Sequence, residues 1–309
     1  MTTQLEINPL KTFQIGDSSW SGYDLDTFLG GLMYYREVCS PEKSFHSAAT
    51  ITKYLTEVRA LQREKADSNG EAQLTQQEYE DYRHKRLVLA SSASDSGKVL
   101  PWAVRTSSFI PMSIPLMAGM VLSPPTMKAT MFWQWMNQTY MAGLNYGNAN
   151  GSSMTTDELF SAYCMATGTA IGVACTLRAL SPFLLRGRTG GIATAYNQFV
   201  SFAAVASSSA INVYAMRQKE TVTGVSVKDE ATGEDLGLSK VAATAGLNKT
   251  MLSRATYCIP MFAVPAMWTQ LLTSTRMMPR GRVAKLFMTA IGLCSGLYLA
   301  MPLNCALFP

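Results

Sequence analysis

Beyond residue 105 the chain is written in long uncharged runs, and before residue 100 it is not. Six stretches of at least 19 residues carry no Asp, Glu, Lys or Arg: 106–127, 129–156, 159–177, 189–216, 255–275 and 286–309. A charge in hydrocarbon is costly and a spanning helix needs about 20 mostly apolar residues, so each run is a candidate membrane crossing. The runs 161–175 and 199–211 are rich in Ala, Gly, Ser and Thr, the residues that let helices approach closely in lipid. Pro111, Pro115, Pro260, Pro265 and Pro302 fall inside the other runs and predict kinked or broken helices.

The first hundred residues show a shorter, amphipathic period. Leu25, Phe28, Leu29 and Leu32 recur at helical spacing after Asp24, a candidate cap, which predicts a helix over 24–38. Further helices are expected over 47–65 and 76–90, the second opening with Thr75 and Glu78 in capping-box spacing, with a loop at 66–70. The expected fold is therefore an all-α membrane protein: about five to six transmembrane helices, some broken by proline, behind a helical soluble segment. The expected division is 1–100 for that segment and 101–309 for the transmembrane domain.

Charge sharpens the same boundary. Residues 1–100 hold 11 basic and 14 acidic residues, whereas 101–309 hold 15 basic and 7 acidic, although they make up two thirds of the chain. With 48% hydrophobic and only 15% charged residues overall, intrinsic disorder is excluded. If all six runs cross, one face receives Lys128, Arg178, Arg186, Arg188, Arg276, Arg280, Arg282 and Lys285 without any acidic residue. The other receives Asp157, Glu158 and a loop at 217–254 with six basic and five acidic residues, expected to be a turn-rich extramembrane insert. The positive-inside bias then places both termini opposite the basic face. If 129–156 only lies in the interface, five spans remain and the termini separate.

That second run is the ambiguous one. Over 131–150, Gln134, Asn137, Met141, Asn145 and Asn148 follow steps of three and four, so on a helix the amides share one face, with Gln138 beside them. Amides facing lipid without partners are expensive, so the face meets protein, water or a solute. Three readings fit: a seam of mutually bonded amides, an interfacial helix anchored by Trp133, Trp135 and Tyr140, or a polar pathway. Asn197 and Asn212 lie about four turns apart in a later run and are candidates for the same pathway.

Other chemistries find little support. Six cysteines stand singly, none in a C-x-x-C pair, and the histidines are His46 and His84, so neither a metal site nor a cofactor is expected. Phosphate-cradling loops and nucleophile elbows are missing, no nucleophile, base and orienting group can be assembled among the intramembrane residues, and catalysis is not expected. The basic excess is scattered between apolar runs, which argues against nucleic acid as a partner. Arg105, Arg217 and Arg254 stand near the ends of predicted spans, where reaching lipid headgroups is the commoner role and anion binding the other. The first ten residues show neither an apolar core nor an Arg-rich face, so no secretory signal or cleavable presequence is visible there.

Four segments, in order, carry a resemblance: DLDTFLGGLMYYREVCSPEKSF at 24–45, FWQWMNQTYMAGLNYGNAN at 132–150, FVSFAAVASSSAINVYAMRQKE at 199–220 with the loop that follows, and PLNCALFP at 302–309. Together they resemble the sideroflexins, mitochondrial inner-membrane proteins, over nearly the whole chain. The resemblance implies a multi-helix membrane fold, import by internal signals, and transport of serine and other small neutral amino acids across the mitochondrial inner membrane. The chain also departs from the family. Where sideroflexins have His-Pro-Asp-Thr-Gly-Glu it keeps only Asp95 and Gly97, with Lys98 in place of the carboxylate. Met141, Ala149 and Tyr214 stand where the family has Asn, Arg and Pro.

Two functions follow. One is a carrier of small neutral amino acids whose pathway uses Gln134, Asn137, Gln138, Asn145, Asn148, Asn197 and Asn212, because uncharged amides supply both the donors and the acceptors that a zwitterion needs. The other, motivated by the altered motifs, is a transport-impaired structural subunit of a larger inner-membrane complex.

Overall fold

The computed structural model describes residues 11–14, 19–25, 27–66, 71–94, 97–147, 155–229 and 234–307. The N-terminal part holds α1 (Phe28–Val38), α2 (Ala48–Ala66) and α3 (Gln76–Ser92), with a two-stranded antiparallel ribbon of β1 (Lys11–Gln14) and β2 (Glu71–Leu74). Its helices bury Ile51, Val58, Tyr82, Leu87 and Val88 together with Trp20, a hydrophobic core separate from the one beyond residue 100. The cap of α1 is Thr27 and not Asp24: the Thr27 hydroxyl accepts from the Gly30 amide at 3.1 Å and donates to the Asp24 carbonyl at 2.8 Å, so the helix starts later than the periodicity predicts. The capping box of α3 forms as expected, with the Thr75 amide donating to Glu78 at 3.0 Å.

Six further helices follow: α4 (Phe109–Leu122), α5 (Met127–Gly147), α6 (Thr156–Leu185), α7 (Gly191–Thr223), α8 (Lys240–Ser274) and α9 (Arg282–Leu307). Consecutive helices from α5 to α9 pack side by side as antiparallel neighbours, and α4 packs on α5 and α9. The shared core takes Phe109 and Met117 from α4, Leu144 from α5, Val205 from α7, and Met261 and Leu297 from α8 and α9. Among the described residues, three helices are long and apolar enough to cross a membrane: α6, α7 and the 283–304 part of α9. The other three differ from the expectation for physical reasons. At 14 residues, α4 measures only ~21 Å, α5 is diluted by its amides, and α8 carries its charges in its first half.

Two departures concern loops. The segment 217–254 is mostly helix, because α7 continues to Thr223 and α8 begins at Lys240. Among the described residues a hairpin of β3 (Val225–Lys228) and β4 (Asp235–Ser239) lies between them, so the described fold is helical with two small ribbons and not strictly all-α. Arg105 does not reach for headgroups. It is buried and donates to the carbonyls of Leu100 (3.0 Å), Ser44 (2.7 Å) and His46 (2.7 Å), tying the N-terminal part to the start of α4.

Packing explains how the long helices lie so close. The buried residues of α6 are Ala162, Ala166, Ala170 and Ala174, a stripe at steps of four that lets α6 lie against α7. On α9, a β-carbon at Gly296 would stand 2.9 Å from the Pro265 ring and 3.1 Å from the Pro260 carbonyl, so glycine is what admits the proline-bearing stretch of α8.

Candidate functional site

The antiparallel order brings the end of α5, the start of α6, the end of α7 and the first half of α8 to one end of the bundle. A cleft opens there, in lobes that share residues. Between α5, α6 and α7 lies a space of about 230 Å³ bounded by Gln138, Met141, Asn145, Tyr163, Asn212 and Met216. Between α5, α7 and α8 lies one of about 220 Å³ that shares Gln138, Met141, Asn145, Asn212 and Met216 and adds Ser209, Arg217, Thr250, Arg254 and Tyr257. A third recess of about 190 Å³ reaches Thr106 and Phe109 beside Asn145, Arg254 and Tyr257. Each lobe is smaller than the ~300–1,000 Å³ typical of drug-sized ligands, a size suited to small solutes.

The amide face of α5 is divided along its length. Gln138 is buried and donates to the Ser208 hydroxyl at 2.7 Å, which in turn donates to the Val205 carbonyl, so α5 is held to α7 at the inner limit of the cleft. One turn earlier Gln134, 2% exposed, sits against the sulfur of Met120 at 3.8 Å. Its carbonyl oxygen and the Asn137 amide nitrogen find no hydrogen-bond partner among the described residues. Towards the end of the helix, Asn145 opens into all three lobes. Among the described residues these amides do not bond to one another. Trp133 packs against Gly119 and donates to the Ser123 hydroxyl at 2.7 Å.

Asn212 of α7 joins this cleft, but Asn197 does not. Asn197 lies ~22 Å away along the same helix. There its side-chain oxygen accepts from Arg178 of α6, whose Nε also donates to Thr130 of α5 at 3.3 Å. Asn197 belongs to a clasp that joins three helices at the other end of the bundle. Gly97 is equally remote. It takes φ +84° in a turn closed by its amide and the Ser94 carbonyl at 2.7 Å, under the Arg59 side chain. Asp95 and Asn148 lie outside the described residues.

Electrostatically the rim is nearly balanced. Arg217 forms a forked pair with Glu220 at 3.0 and 2.7 Å, and Lys219 of α7 pairs with Glu158 of α6. Thr250 and Tyr257, which the hydrophobic pattern does not single out, line the cleft with Arg254, which it places at a span end. The three follow one another at steps of four and three and so share a face of α8, a signal hidden by the end of a charged segment.

The pattern of the sideroflexins matches residues 17–309. Sideroflexin-5 of Caenorhabditis elegans is 28% identical over 300 residues, covering 96% of this chain and 87% of the relative. Sideroflexin-1 of Rattus norvegicus is 31% identical and Sideroflexin-3 of Homo sapiens 32%, each over 93% of this chain and 85% of the relative. No solved structure matches the chain.

Proposed function

The chain belongs to the sideroflexin family, and from that premise we propose that it is a carrier of serine and other small neutral amino acids in the mitochondrial inner membrane. The observation that carries the reading is the cleft: Asn145 and Asn212 open into lobes large enough for a small solute, at one end of a bundle that includes helices long enough to cross a bilayer. Amides offer both donors and acceptors to the two ends of a zwitterion. On this reading α5 and α8 cross with α6, α7 and α9, their polar faces turned to the cleft. The basic ends 178–188 and 276–285 then lie on the positive-inside face and the cleft opens on the opposite one.

The test is counterflow of labelled serine into liposomes holding the purified chain. Saturable exchange blocked by other small neutral amino acids and untouched by citrate is expected. Asn145→Leu is expected to abolish uptake in a protein that remains folded.

A second reading is a structural subunit of a larger inner-membrane complex, with transport impaired. Met141 favours it, because an apolar side chain stands between Gln138 and Asn145 on the cleft wall where the family has an amide. Absence of flux from well-folded protein, with co-migration in a much larger assembly, would select that reading.

A further inference from the structure

The rim of the cleft carries charge of both signs, and most of it is already paired. Arg217 is neutralised by Glu220 through a forked contact, and Thr250 takes a further hydrogen bond from it at 3.4 Å. Lys219 and Glu158 cancel across the rim. Arg254 remains. It lines the second lobe and the third recess, is exposed to the space it borders, and among the described residues its side chain has neither an ion pair nor a hydrogen bond. No carboxylate lines any of the three lobes among the described residues.

Position adds to this. From Arg254 to the end of α8 is about 20 residues, ~30 Å of helix, so where α8 crosses as the carrier reading has it, Arg254 falls at the edge of the hydrocarbon core. Beside it in the same lobe stand Asn145 and Asn212, amides that offer acceptor oxygens. A guanidinium with free donors next to neutral acceptors matches one kind of solute: a carboxylate for the fork, with its ammonium or hydroxyl on the amides. An amine without a carboxylate would meet an uncompensated positive charge and no anionic partner.

We infer that Arg254 is the carboxylate-binding residue of the cleft, and that it makes the site select amino acids over the corresponding amines and amides. The assignment deepens the carrier reading and rests on it for the identity of the solute. Arg217, already paired, is a positioning residue for α7 and not a second anchor.

The test uses the full chain in liposomes and, in parallel, direct binding of labelled serine to the purified protein. In the unaltered chain, serine competes and serinamide, which keeps the ammonium and hydroxyl but lacks the carboxylate, does not. Arg254→Gln is expected to raise KM for serine by about tenfold or more with kcat largely kept, and to erase the preference over serinamide. Arg254→Lys keeps the charge but not the fork and falls between. If Arg254→Gln fails to fold, the serinamide comparison and the lysine variant still decide. Serine exchange that is insensitive to Arg254, or serinamide competing as well as serine, overturns the assignment and leaves the carrier reading standing. Binding that depends on Arg254 without any exchange upholds the assignment and overturns the carrier reading. Neither binding nor exchange in folded protein overturns both.

Discussion

At the scale of single residues, the fold depends on where side chains are missing as much as on where they are present. Gly296 faces backbone carbonyls and a proline ring of α8, none of which rotates away, so Gly296→Ala cannot be absorbed by a rotamer change. It is expected to cost ~1–3 kcal/mol by overpacking, read as a lower melting temperature in detergent. Gln138 shows the opposite dependence. Its amide donates across the contact between α5 and α7, and Gln138→Leu would leave Ser208 without that donor. The variant should lose thermal stability and narrow the cleft together, whereas Asn145→Leu should lose uptake alone. Comparing melting temperature with uptake in the two variants separates a residue that builds the cleft from one that serves it.

At the scale of elements, α6 has two faces with different rules. Its alanine stripe meets α7, where Ala174 packs on Val200 and Ala204, while a β-carbon added at Gly168 or Gly172 would meet nothing within 4 Å. Ala174→Leu is therefore expected to separate the helices at a cost of ~1–3 kcal/mol, and Gly168→Leu to leave the melting temperature unchanged or raise it slightly. Helix α3 carries a pH-dependent element. Burial pushes the His84 imidazole below its ordinary range, helped by His46 and Lys43, with Asp81 and Glu42 acting in the other direction. A base held neutral in the folded state and free to protonate in the unfolded one makes stability fall as pH drops through about 6.5 toward the lowered folded value. Above that window the contribution is flat. Melting curves of the unaltered chain between about pH 7.5 and 5.5 should show the loss, and His84→Gln should flatten it.

At the scale of the molecule, the N-terminal part is docked on the same end as the cleft. Arg36 of α1 donates to the Tyr298 hydroxyl of α9 at 3.1 Å, Gly31 lies against Ala306, and Arg105 pins the carbonyls of Ser44 and His46. Arg105→Met removes three charge-assisted bonds from a buried site and leaves carbonyls unmet. Loss of ~2–3 kcal/mol or more is expected, with faster proteolytic cleavage between the two parts. Much of this arrangement was legible in the residues. Charge-free runs marked each of the six later helices, and the Thr75 box is a local property that needs no partner. The limits were also physical. Arg105 and Arg254 look alike in sequence, each a lone arginine at the edge of an apolar run. One became a buried tie because loop carbonyls converge on it, and the other faces an open cleft.

The sequence by itself determined the class of the protein, because hydrophobic runs and charge asymmetry act through the solvent each residue tolerates, a property that adds up along the chain. It also determined the family, through segments that keep their order. Only the tertiary structure decided which amides meet. Gln138, Asn145 and Asn212 come together while Asn197 is taken by Arg178, since helix register and antiparallel order set the neighbours of a side chain, and neither is encoded in the spacing of one helix alone.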